Sequence, residues 1–277
     1  MISNPLYRVL PMLMCILCPF LFSACSDDET NGQKEPLPLL FARYNYETMA
    51  GSNYLVNVHG GNRDYTLRVA DPDILACDID LQNPNGCGYL ILKGKKRGTT
   101  QLFVTDNVTQ DKATLTVKVT DSYADFTVHN SNHPALQTGL SFYLVDNDAH
   151  DFYLLNNAEK VEKPTDRILA KGTYSLSIEG KGDAAKPYLT LTYPSDEQGR
   201  LTDAAIPPTA HKFDISGSEE MVYTVLARQL HFDWNDLSPK TKALPPMRYL
   251  MQMKEAGTTY EIAAVIATKK IPEGILP

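Results

Sequence analysis

A chain of 277 residues with 33 acidic side chains against 26 basic ones, net charge −7, is long enough for a substantial core and about two domains. The acidic balance excludes the broad basic surface that nucleic acid or anionic lipid selects, so no nucleic-acid partner is expected. With 43% hydrophobic residues and no low-complexity tract, the composition is that of a folded chain, not a disordered one.

The first element reads as an address. Arg8 is the only charged side chain before Cys25, Val9 to Phe22 is an apolar run broken by Pro11 and Pro19, and the small pair Ser23-Ala24 follows. A weakly positive start, a short apolar stretch and a small-residue cleavage site describe a signal peptide over residues 1–24. The run is too short and too interrupted for a comfortable membrane span. Leu21-Phe22-Ser23-Ala24-Cys25 resembles the lipobox of bacterial lipoproteins, which implies cleavage before Cys25 and acylation of its thiol. A non-cleaved anchor and an ordinary secretory signal are the alternatives. Ser26-Asp27-Asp28-Glu29 resembles the acidic export signal of surface lipoproteins of the Bacteroidota. That resemblance implies a surface-exposed protein held to the outer membrane by its N-terminal lipid; the inner face of that membrane is the second choice. Residues 25–36 continue as a polar tether without apolar pattern.

From 37 to 121 the pattern is strand, turn, strand. Tyr54, Val56 and Val58 precede a Gly60-Gly61-Asn62 turn, and Tyr65, Leu67 and Val69 precede Asp71-Pro72-Asp73. Cys77, Ile79 and Leu81 run into Asn83-Pro84-Asn85-Gly86, Tyr89 to Leu92 follows, and alternating residues around Leu102 and Leu115 to Val119 close the set. About seven short strands at this turn spacing predict a β-sandwich. The Gly-Gly-Asn turn, the Asp-Pro-Asp-Ile-Leu segment and Leu92 to Thr100 leading into Leu102 to Asp106 resemble a bacterial Ig-like domain of the BIG2 sort, which implies a spacer or adhesive module without catalysis. The basic run Lys93 to Arg97 reads as a solvated turn whose lysines discourage edge pairing.

Of the five cysteines, Cys15 and Cys18 leave with the signal and Cys25 takes the lipid. Cys77 and Cys87 remain in an oxidising compartment as a candidate disulfide. A turn centred on Pro84-Asn85 sets Cys77 opposite Leu92 instead, which argues against a bridge.

Asp121 to Ala124 reads as a short hinge, and residues 125–277 as a second β-rich domain. Strands are expected around Leu140 to Leu144, Phe152 to Leu155, Tyr174 to Ile178 and Tyr188 to Leu191, then at Phe213 to Ile215 and Met221 to Phe232. A terminal hairpin of Arg248 to Met253 and Thr259 to Thr268 ends the chain, with a short helix over Arg248 to Ala256 as its alternative. About nine strands predict an antiparallel barrel, lipocalin-like, or a second sandwich. The fold class is therefore all-β, an Ig-like β-sandwich followed by an antiparallel β barrel or another sandwich.

Two clusters carry candidate chemistry. Asp146-Asn147-Asp148-Ala149-His150-Asp151 offers alternate carboxylates, without the glycine and distal glutamate of an EF-hand loop; a polar hairpin tip explains it as well. His231-Phe232-Asp233-Trp234-Asn235-Asp236 holds the only tryptophan. Trp234, flanked by Asp233 and Asn235 with Asp236 next, has the apolar face and hydrogen-bonding groups that a sugar selects, whereas a strand end capped by Trp234, with Asp236 beginning a turn, is the plainer reading. No pair of the six histidines has the spacing of a zinc site. No nucleophile elbow or phosphate loop is present, so neither cofactor nor metal is expected. These readings converge on a non-enzymatic surface lipoprotein whose spacer presents a module that binds glycan or another surface protein. A glycan hydrolase in the second domain and a structural subunit of a surface assembly are the rivals.

Overall fold

The computed structural model describes residues 36–82, 86–158, 160–235, 237, 249–267 and 270–277. The signal peptide, Cys25, the Pro84-Asn85 turn and Asp236 lie outside them.

Among the described residues, seven strands build the first half: β1 (Asn45–Met49), β2 (Asn53–Asn57), β3 (Tyr65–Val69), β4 (Leu75–Asp80), β5 (Tyr89–Gly94), β6 (Gly98–Asp106) and β7 (Lys112–Thr120). They form a sheet in the order β1-β7-β6-β3 and a second in the order β2-β5-β4. Only β1 on β7 is a parallel pair among these. Alternation along the strands turns Val56, Leu90 and Leu92 of one sheet toward Leu102, Leu115 and Val117 of the other, all at most 2% exposed. The expected sandwich is present. Cys77 pairs in register with Leu92, and both Cys77 and Cys87 are free thiols packed on the sandwich core. Cys87 lies just ahead of β5, away from the residue that Cys77 faces, which is why the candidate disulfide is not formed. Burial pushes the Cys77 thiol up to about 12.

The residues read as a hinge are instead the start of a strand. β8 (Ser122–Ser131) is separated from β7 by Asp121 alone, and Ser122, Tyr123 and Ala124 are all buried. It opens an eight-stranded barrel with β9 (Ser141–Asp146), β10 (Asp151–Leu155), β11 (Ile168–Glu179), β12 (Lys186–Tyr193), β13 (Thr209–Asp214), β14 (Leu250–Glu255) and β15 (Glu261–Ile266). Each strand pairs antiparallel with its sequence neighbour, and β15 returns to β8 to close the cylinder. Closure leaves no edge to protect. A barrel of this size is just wide enough for its own side chains. Phe126, Phe142, Phe152, Tyr193 and Phe213 fill it, each at 0% exposure. Gly172 permits the tightest approach: a Cβ there would lie 2.0 Å from the Thr192 carbonyl oxygen.

One expected strand is a helix. α1 (Glu220–Leu230) replaces the strand read over Met221 to Phe232. Its β-branched and aromatic residues favour a strand locally, but Val222, Leu226 and Leu230 recur every fourth residue and are buried together in the barrel core. Tertiary burial overrides propensity here. The terminal hairpin is present as β14 and β15.

Strands β9 and β10 are buried on both faces. Their outward side chains Tyr143, Val145, Tyr153 and Leu155 join Tyr123 of β8 under Ile271, Ile275 and Leu276 of the C-terminal segment. That segment also binds the sandwich: Lys118 Nζ donates to the Leu276 carbonyl at 2.6 Å, and Arg43 pairs with Glu273 at 2.8 Å. The last residues thus tie the sandwich to the outside of the barrel.

Candidate functional site

Strand register sorts the barrel into two ends. The end of β12, the start of β13, the end of β14 and the start of β15 meet at one of them. There the fold assembles a polar cluster from residues far apart in sequence. His211 points inward from β13, and Glu255 closes β14. Ser195 follows β12 in the turn Pro194-Ser195-Asp196. The His211 Nδ1–Glu255 Oε1 distance is 2.6 Å, and Ser195 Oγ lies 2.8 Å from His211 Nε2. With Glu255 a carboxylate, Nδ1 is the donor, which leaves Nε2 to accept from the serine. A serine on Nε2 and a carboxylate on Nδ1 is the connectivity of a hydrolytic triad.

The surroundings seal this bonded chain from solvent. Ser195, His211 and Glu255 are 2%, 3% and 7% exposed. The Ser195 hydroxyl also lies 3.1 Å from the Tyr193 carbonyl oxygen, so its single proton has two acceptors. Gly199 (φ +77°) folds the following loop over both imidazoles, where a Cβ would come within 2.8 Å of His133 Nε2. Tyr193 stacks on the His211 ring at 5.0 Å.

His133, which follows β8, is drawn into the same cluster. Its Nδ1 accepts from the backbone N–H groups of Ala135 and Leu136, each at 3.1 Å. The proton of the neutral ring therefore sits on Nε2, which faces Glu255 Oε2 at 3.8 Å. Burial holds this imidazole down at about 4, with Glu255 opposing and His211 adding to the shift. The donor atoms of His133, His211 and Glu255 lie within 4.8 Å of one another. A metal-bound histidine nitrogen has its proton on the other nitrogen, the reverse of His133, so the trio is poorly suited to an ion.

The opposite end holds the start of β8, the end of β9 and the start of β10. Here the two clusters singled out in the sequence meet. His231 ends α1 in the left-handed conformation (φ +52°), and its Nδ1 lies 2.7 Å from Asp146 Oδ2 at the end of β9. A polar cleft of about 480 Å³ lies beside this pair, lined by Ser52 and Lys95 from the sandwich, Asp121 and Ser122 from the junction, and Arg228 and Gln229 from α1. A smaller pocket of about 180 Å³ is lined by His150, Tyr174, Ser175, Leu176, Leu230 and Phe232. Trp234 is half-buried, edge-on to Tyr223 at 5.0 Å and beside Phe232 at 4.5 Å, and its indole N–H has no partner among the described residues. Asp233 accepts from the Asn235 side chain at 2.9 Å. Trp234 thus packs against the barrel cap with two aromatic neighbours, and the carboxylate beside it is engaged locally.

The sequence pointed to residues 146–151 and 231–236 but not to their pairing, and it missed Ser195, His211, Glu255 and the role of His133. Period-two alternation does place His211 on the side of Phe213, and Glu255 on that of Met251 and Met253. A histidine and a glutamate on inward faces were the available signal.

No family model matches the chain. Neither does any curated protein. Among solved structures, domains 4 and 5 of the S-layer protein SbsC match at 10% identity over 30% of this chain, with a TM-score of 0.26; the match spans 51% of that chain, about half its length. Domains 5–6 of the same protein match at 8% identity over 64% of this chain and 96% of the other, also at 0.26. Extracellular domains 1–4 of protocadherin gamma B7 match at 9% identity over 83% and 68%, with a TM-score of 0.25. Likenesses this slight carry no argument about function.

Proposed function

We propose that this chain is a lipid-anchored, non-enzymatic binding protein of the outer-membrane surface, with an Ig-like sandwich as spacer and the barrel as the module that engages glycan or a surface protein. The observation that carries it is the meeting of His231 and Asp146 beside two cavities at the helix-capped end of the barrel. The lipobox-like run ending at Cys25 and the acidic residues after it support the anchor. The C-terminal segment bonded to both halves supports a stiff stand-off. A barrel filled by its own aromatic side chains supports recognition at its end over recognition in its lumen.

Retention of the full chain on arrays of glycans and envelope components tests the binding role. Retention of one class of partner is expected, and failure across broad arrays removes the reading. Incorporation of labelled fatty acid in cells, lost in Cys25→Ala, tests the anchor.

One observation favours a second reading. The bonded order of Ser195, His211 and Glu255 is that of a serine hydrolase. A fluorophosphonate probe, which labels activated serines, decides it: labelling that vanishes in Ser195→Ala makes the chain a hydrolase, and no labelling leaves the cluster a structural plug.

A further inference from the structure

We infer that the helix-capped end of the barrel is a binding site for a carboxylate-bearing sugar; this rests on the binding role above and names its ligand class. The polar cleft has a surplus of donors. Its two carboxylates are already engaged, Asp121 with Arg97 at 3.2 Å and Asp146 with His231 at 2.7 Å. The carbonyl oxygen of Gln229 accepts from Ser122 at 2.9 Å, which leaves the Gln229 amide N–H groups to the cleft. Arg228, in the last turn of α1, lines the same cleft and makes no hydrogen bond or ion pair among the described residues. A guanidinium is always charged and matches a carboxylate with two parallel N–H bonds. Hydroxyl groups of a sugar suit the remaining mixture of donors and acceptors around it.

The smaller pocket supplies the apolar half of the match. Consecutive residues line the two spaces in turn: Leu230 and Phe232 face the pocket, and His231 between them faces the cleft. Tyr174 also lines the pocket. It is 5% exposed, and its hydroxyl has no hydrogen-bond partner among the described residues. Burial, and secondarily the charge of Asp146, raise this phenol above its usual range, so it stays a neutral donor. A pyranose ring has an apolar face and a hydroxyl rim, and the apolar face fits Phe232 and Leu176. Because Ser52 and Lys95 come from the sandwich, the site requires both halves of the molecule.

The test is titration of the full-length chain in detergent micelles with sialyllactose and digalacturonate, each compared with neutral lactose. The acidic sugars bind more tightly, and Arg228→Gln weakens them about tenfold or more, the loss expected for a charge-assisted pair. The melting temperature is unchanged by that variant, since Arg228 makes no hydrogen bond or ion pair among the described residues. Equal affinity for acidic and neutral sugars, or an Arg228→Gln variant that binds acidic sugars as tightly as the parent, overturns the acidic-sugar site and leaves the binding role standing. No retention of any saccharide or envelope component overturns both.

Discussion

At one end of the barrel Ser195, His211 and Glu255 form a bonded chain almost out of reach of solvent. At the other, α1 closes the mouth with Val222, Leu226 and Leu230 and leaves His231 with a side chain 75% exposed. Both ends combine histidine with a carboxylate at nearly the same distance. What separates them is burial. A short histidine–carboxylate contact inside the barrel end couples strand ends and contributes to stability, because breaking it strands a desolvated partner. The same contact in water adds little stability and stays open to a ligand. Chemical resemblance to a catalytic triad is therefore a weaker guide to function here than access.

Four substitutions or conditions test that contrast, from the largest effect to the smallest. Glu255→Ala removes the acceptor for His211 and the neighbour of His133; urea denaturation is expected to show a loss of about 3 kcal/mol, the upper part of the range for abandoned buried partners, with array binding intact. A fall in binding without a fall in stability would reverse the roles of the two ends. Ser195→Ala costs about 1 kcal/mol by the same measurement.

The pH dependence follows from His133. Its folded pKa is depressed from 6.5 to about 4, so between those values the unfolded chain takes up a proton that the folded chain refuses. The stability it contributes is fully present above pH 6.5 and is lost as pH falls toward 4. Thermal melts across this range should show that decline, and His133→Gln should flatten it while lowering stability at neutral pH; an unchanged slope would remove His133 as the cause. The smallest effect belongs to the open end. His231→Ala breaks an exposed hydrogen-bonded contact with Asp146 and should cost under about 1 kcal/mol, with its main consequence read in ligand affinity.

The architecture was largely legible because it rests on local signals. Turn residues such as Asp71-Pro72-Asp73 and alternating runs such as Leu102 to Thr105 report strands directly. The exceptions have physical causes. The stretch Ser122 to Ala124 resembles a linker in composition, yet it is buried because the C-terminal segment folds over Tyr123, a contact between residues 148 positions apart. The helix was hidden because Val222, Tyr223 and Val225 carry strand propensity, while the fourth-residue spacing that decides the matter depends on a mouth needing closure. The buried cluster was the least legible. Ser195, His211 and Glu255 are individually ordinary, and only the antiparallel pairing of β12 with β13 and of β13 with β14 brings them to a common end. Residues 146–151 and 231–236 were each visible as polar clusters, whereas their union required the left-handed turn at His231.

The most direct test of the account sets the two ends side by side: retention of the full-length chain on one glycan and envelope array, measured for the parent, Arg228→Gln and Ser195→Ala. The account predicts that Arg228→Gln loses its acidic ligands while Ser195→Ala is retained like the parent. Loss of binding in Ser195→Ala with Arg228→Gln unaffected would contradict it and move the functional centre to the sealed end.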